Sequence, residues 1–225
     1  MLADDLRPLF VGIERADSIA FDPHKWLYTP QSGGCVLVRD FEHLRRAFDF
    51  EYVAYVVKDE DHTDWGVDLG RYSPNFSRGF WALRVWVSLL AHGRKAYGRR
   101  ISHDAALARY LGARVEEDEE FELMTPVGLS ITCFRYVPTD LSASGDRAEA
   151  PGRDEYLDQL NSRLMTAIQL DGRVYCSNAV LGDRFCLRSC IVNYRTEAED
   201  LDALLDVASE LGGKLDAELR PEALR

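Results

Sequence analysis

The dipeptide Asp22-Pro23 restricts this chain more than any other feature. Proline fixes φ, offers no N–H and pushes the residue before it away from helix. The apolar run Ser18-Ile19-Ala20-Phe21 must therefore end there, as a short strand. Gly33-Gly34 opens a second apolar run, Gly34-Cys35-Val36-Leu37-Val38, which reads as the next strand. His24, Lys25 and Trp26 are thereby confined to the connection between two strands, where a rigid frame commonly presents chemically active side chains. Taken alone, a lysine in such a turn is most often a solvated surface residue; the break at Asp22-Pro23 and the strand that Gly33-Gly34 opens predict instead that the Lys25 amine faces a cavity rather than bulk water.

Beyond this connection, helices and strands alternate. Phe41 to Phe48 reads as a short helix. Glu51 to Asn75 has weak periodicity and the polar run Lys58-Asp59-Glu60-Asp61-His62. That is long for a connection, so a lid that orders with substrate is expected. Phe80 to Tyr97 reads as a long helix with Leu83, Trp86, Val87 and Leu90 on one face. The second half predicts a helix from Arg100 to Val115, strands at Phe121–Leu123 and Leu129–Tyr136, and a polar surface loop from Thr139 to Arg153. An amphipathic helix follows, marked by Leu157, Leu160, Leu164 and Ile168, and then strands at Val174–Ser177 and Phe185–Val192. Thr196 and Glu199 give a capping-box signature ahead of the last helix. The class is α/β.

A net charge of −11 argues against nucleic acid or an anionic membrane as partner. No apolar run approaches the roughly 20 residues a membrane span needs. The opening Met1-Leu2-Ala3-Asp4-Asp5-Leu6-Arg7 is acidic where a signal peptide would be basic and then apolar. Five cysteines (Cys35, Cys133, Cys176, Cys186 and Cys190) are odd in number and lack CxxC spacing, and no histidine lies at ligand spacing. Cys186 and Cys190 read as buried reduced thiols in a strand. No metal site is expected, and a cytoplasmic setting is the simplest.

Three segments, taken together, carry a resemblance. Ala16-Asp17-Ser18-Ile19-Ala20-Phe21-Asp22-Pro23-His24-Lys25-Trp26-Leu27 is followed by Ser77-Arg78-Gly79-Phe80-Trp81-Ala82-Leu83-Arg84-Val85-Trp86. Phe185-Cys186-Leu187-Arg188 with Asn193-Tyr194-Arg195-Thr196 comes last. In this order they resemble the group II pyridoxal-phosphate-dependent decarboxylases, a family that includes aromatic-amino-acid, glutamate and histidine decarboxylases. The match lies in the carboxyl-terminal portion of that family.

The resemblance implies a PLP-dependent transferase fold (aspartate-aminotransferase-like, fold type I). Residues 1–85 would be part of the large cofactor-binding domain, and residues 86–225 a linking helix and a small α/β domain. It implies pyridoxal 5'-phosphate as cofactor, held by Lys25 as a Schiff base, with an amino acid as substrate. His24 would lie beside the cofactor phosphate, the alternative being a histidine that only satisfies its turn. Ser77 matches a position reaching the phosphate of a neighbouring subunit's cofactor, which implies a homodimer. Either Tyr52 or Tyr55 would be the mobile-loop acid, with Tyr55 favoured because Val56 follows it. Asp17 is expected as a buried carboxylate ordering the backbone near the lysine, and Phe21 and Trp26 as core. Arg188 could hold a carboxylate, although a role at the domain junction is the better expectation. An aminotransferase, another carbon–carbon lyase and a non-catalytic remnant are the alternatives. In the family an aspartate about thirty residues ahead of the lysine pairs with the ring nitrogen. Only 24 residues precede Lys25, and Asp4 and Asp5 are too near. That aspartate, the ring-stacking residue and the main phosphate loop are expected in a longer product or in a second chain.

Overall fold

Strands β1 (Ser18–Phe21) and β2 (Cys35–Val38) pair antiparallel, with Ser18 opposite Val38 and Phe21 opposite Cys35. The Arg39 N–H extends the ladder by donating to the Asp17 carbonyl at 2.9 Å. The computed structural model describes residues 2–31, 33–49 and 69–224, and among these no third strand joins the ribbon. Two strands alone bury little. Ala20, Phe21, Val36 and Leu37 are accordingly exposed. Asp17 and Phe21, expected to be buried, are both exposed for this reason. Helix α1 (Phe41–Phe48) starts where the Asp40 carboxylate accepts the Glu42 N–H at 3.0 Å. Phe41 stacks on Tyr72 at 4.0 Å, and Arg71 makes two hydrogen bonds to Asp49.

Helix α2 (Trp81–Glu117) is interrupted at Gly93, whose φ of 74° and ψ of 158° are open essentially to glycine alone. The break expected between Tyr97 and Arg100 lies at Gly93 instead. In the first segment Leu83, Trp86, Val87 and Leu90 are all exposed. The chain divides into two units inside this helix, between Lys95 and Ala96. Residues 2–6 join the second unit, where Ala3 and Leu6 are buried. A Cβ at Gly98 would come within 2.6 Å of the Leu2 carbonyl, so glycine is what lets this segment approach α2. The Ser102 hydroxyl donates to Asp5 at 2.5 Å.

The second unit is built on an antiparallel sheet, β3 (Phe121–Leu123), β4 (Ile131–Tyr136), β5 (Ser177–Leu181) and β6 (Arg184–Cys190), in the order β3-β4-β6-β5. Helices α3 (Arg153–Asp171) and α4 (Ala198–Leu219) pack with it. Leu157, Leu160, Leu164 and Ile168 of α3 are fully buried with Leu111, Val115, Phe134 and Leu187. Each such side chain contributes roughly 1.5–3 kcal/mol by leaving water.

β4 and β6 pair only from Ile131 to Phe134. Where they part, α3 supplies the missing partners. Asn161, fully buried, accepts the Tyr136 N–H at 2.8 Å and donates to the Tyr136 carbonyl at 2.9 Å. Asp158 accepts the Phe185 N–H at 2.8 Å. Arg135 is fully buried between β3 and α3, bonded to Glu122 at 2.8 Å and Asp154 at 2.9 Å. Arg220 bridges Asp140 and Asp216, and the Tyr156 hydroxyl donates to Asp216 at 2.5 Å.

β5 lies three residues later than expected, because Gly182, at φ 66°, and Asp183 form a two-residue hairpin that fixes its end. The capping box of α4 is likewise one residue later, made by Glu197 and Asp200 rather than Thr196 and Glu199.

All five cysteines are free. Cys186 is buried as expected, whereas Cys190, at the end of β6, was expected to be buried and is exposed; Cys133 and Cys176 are buried as well. Burial pushes the Cys176 and Cys186 thiols up to about 11. At pH 8 about one in a thousand of each would be thiolate, the form that alkylates. Iodoacetamide is therefore expected to modify Cys190 at least about 100-fold faster than Cys176 or Cys186, read by peptide mass spectrometry. Similar rates at all three would show that the sheet opens readily.

Candidate active site

The turn after β1 closes on itself through its backbone. The Lys25 N–H donates to Asp22 O at 3.1 Å, the Tyr28 N–H to Lys25 O at 3.1 Å and the Thr29 N–H to Pro23 O at 3.5 Å. Pro23 and Thr29 are buried beneath it. Tyr28 carries a φ of 48°, the left-handed conformation uncommon for a residue with a side chain. Such strain persists where surrounding structure holds it, and it clusters at functional turns.

Lys25 was expected to face a cavity. Its side chain is 60% exposed, and its Nζ lies 2.7 Å from Asp22 Oδ2. Among the described residues the ribbon's exposed faces provide no wall around it. The hydrogen bond and charge of Lys25 hold the Asp22 carboxyl below the usual carboxylate range. A cleft of about 370 Å³, lined by Ala20, Phe21, Asp22, Gly34, Cys35 and Val36, opens beside the pair. His24 Nδ1 and Trp26 Nε1 are buried and without a hydrogen-bond partner among the described residues. Sequence reasoning gave Asp22 only the task of stopping β1. The signal for more was its position three residues before Lys25.

Ser77 is exposed. The neighbouring Arg78 donates to the Ser73 hydroxyl and to Asn75 O. Tyr52, Tyr55 and most of the expected lid lie outside the described residues. In the second unit Arg188 is half-buried, with its Nη1 3.5 Å from Ser177 Oγ. It lines a cleft of about 460 Å³ with Asn193, Thr196 and Asp200. No cluster of three or more potential metal ligands occurs among the described residues, and no helix among them is long and apolar enough to cross a membrane.

Residues 1–137 match the pyridoxal-dependent decarboxylase conserved domain. The aromatic-L-amino-acid decarboxylase of Bacillus atrophaeus is 30% identical over 201 residues, 89% of this chain and 40% of that protein. Tyrosine decarboxylase 4 of Petroselinum crispum is 28% identical over 218 residues, 92% of this chain and 41% of that protein. Among solved structures, mouse CSAD superposes with a TM-score of 0.81 at 28% identity, over 94% of this chain and 43% of that one. Oryza sativa TDC with PLP and tryptamine superposes with a TM-score of 0.80 at 25% identity, over 95% of this chain and 42% of that one.

The fold is thus that of the type I PLP-dependent enzymes, represented by part of the large domain and a small α/β domain. The chain belongs to the pyridoxal-dependent decarboxylase family. It spans about 40% of the length of the curated relatives it matches.

Proposed function

We propose that these residues form part of an L-amino-acid decarboxylase that holds pyridoxal 5'-phosphate through Lys25. The observation that carries this reading is the family match over residues 1–137, with Lys25 presented on a self-closed turn after β1 and its amine accessible. Residues 1–85 would then belong to the cofactor-binding domain and residues 86–225 to the linking helix and the small domain.

The residues present fit the cofactor. An accessible primary amine can bond covalently to an aldehyde. The buried, unpartnered Nδ1 of His24 is a polar atom awaiting an oxygen, and the cofactor phosphate would supply one. When bound, the cofactor supplies an electron-accepting ring on which the bond to the substrate carboxylate breaks. The exposed Ser77 hydroxyl is free to reach the phosphate held by a second subunit, in a symmetric homodimer. Tyr55, with Tyr52 as the alternative, would return a proton to the substrate carbon. The names of the relatives, aromatic-L-amino-acid and tyrosine decarboxylases, favour an aromatic amino acid as substrate. Five free thiols favour a reducing, cytoplasmic setting.

Lys25, Lys58, Lys95 and Lys214 are the four lysines, and the other 23 of the 27 basic side chains are arginine. The covalent assignment is therefore sharply testable. Pyridoxal phosphate followed by borohydride is expected to label Lys25 well ahead of the other three, with Lys25→Ala removing that label. Equal labelling of all four lysines would refute the assignment.

A further inference from the structure

We infer that Asp22 is the latch of Lys25, a positioning residue that holds the ammonium group in the cofactor-free chain and must release it before the nitrogen can attack an aldehyde. This rests on the reading of Lys25 as the covalent holder.

Asp22 grips Lys25 at two points. Its backbone carbonyl accepts the Lys25 N–H at 3.1 Å, which fixes the turn, and its carboxylate meets Nζ at 2.7 Å, which fixes the side chain. Among the described residues the Asp22 carboxylate has no other ion-pair partner. The thiol of Cys35 lines the same cleft from β2, and Gly34 there leaves open space next to Asp22 Oδ1. An incoming aldehyde in this cleft would meet the carboxylate that holds the amine.

The chemistry requires the latch to open. A nitrogen that carries three protons has no lone pair with which to attack carbon. One proton must leave before the carbon–nitrogen bond forms and the carbonyl oxygen departs as water. Overall, one ammonium and one aldehyde give one protonated carbon–nitrogen double bond and one water, with charge unchanged. The pair is exposed at both ends, 60% for Lys25 and 39% for Asp22, so it is weak enough to open and is screened by salt. A buried pair would lock the lysine; this one only delays it.

The test uses the whole 225-residue chain and pyridoxal, which lacks a phosphate and so removes any effect of salt on phosphate binding. The product is trapped with cyanoborohydride and mapped to individual lysines. At low salt, Asp22→Asn is expected to speed labelling of Lys25 by about twofold to fivefold, the range an exposed ion pair commands. Raising salt to 1 M should speed the native chain towards the variant's rate and leave the variant unchanged. Asp22→Glu should restore the salt dependence. A merely structural role would not produce that pattern, and the salt measurement on the native chain needs no substitution. A variant that labels Lys25 at the native rate or more slowly, or keeps the salt dependence, overturns the latch while leaving Lys25 as holder intact. Label that avoids Lys25 in the native chain overturns the holder assignment and the latch with it.

Discussion

With pyridoxal phosphate attached at Lys25, the 225-residue chain is expected to release carbon dioxide from aromatic amino acids at least about 100-fold more slowly than an intact decarboxylase assayed beside it. Attachment needs only an accessible amine, and Lys25 has one. Turnover needs the ring to be held in one orientation and its charge to be balanced. These residues span about 40% of the relatives' length, and among the described residues Lys25 follows a two-stranded ribbon with its side chain 60% exposed. Loss of a single preorganised electrostatic contact typically costs two to three orders of magnitude in rate, and loose orientation costs more. The measurement is carbon dioxide release from a panel of amino acids, with Lys25→Ala as the background. Rates matching the intact enzyme, and abolished by that substitution, would show that these residues already hold a complete site.

Asn161→Leu is expected to destabilise the second unit by about 3–5 kcal/mol. The substitution keeps the branched shape and heavy-atom count of the native side chain but strips the Tyr136 N–H and carbonyl of their partner. Both groups would then be buried and unpaired, each at a cost of about 1–3 kcal/mol. Leucine's own burial recovers little, since the site is already filled and closed. Urea unfolding followed by far-ultraviolet circular dichroism reads the change. A loss below about 1 kcal/mol would mean that water reaches the gap between β4 and β6.

Much of the fold was legible because local chemistry and tertiary outcome agree. Asp22-Pro23 ends β1 after Phe21, and α1 spans Phe41–Phe48 as its pattern requires. The four apolar positions of α3 all reach the core. Misjudgements arose where two local signals competed. Val174 and Tyr175 look like strand residues, yet the hairpin at Gly182 sets the register, and Tyr175 is left exposed. Glu197 and Asp200 offer the same capping chemistry as Thr196 and Glu199 one residue earlier, and spacing alone does not rank them. Gly93 is an isolated glycine between His92 and Arg94 in a helical pattern, which periodicity tolerates without warning.

At the site, the sequence pointed to Lys25 and its turn, and the family match covers that segment. Burial was the weak point. Asp17, Phe21 and the lysine head were all expected inside, but enclosure depends on what stacks against a strand, and a strand's own residues do not encode that. Asp22 was missed as a partner because its neighbour proline explained it too readily.

Arg135 has a consequence for how this sequence can drift over evolutionary time. Its guanidinium is fully buried and answered by carboxylates from two different elements, Glu122 on β3 and Asp154 on α3. Neutralising the arginine alone leaves both acids to Arg153, which lies 2.7 Å from Asp154 and 3.8 Å from Glu122, and neutralising both acids alone strands a cation in the interior. An apolar trio of similar volume could serve equally well, but no single codon change leads there without passing through a damaged intermediate. Positions 122, 135 and 154 are therefore expected to change together among descendants of this chain, or to stay as they are.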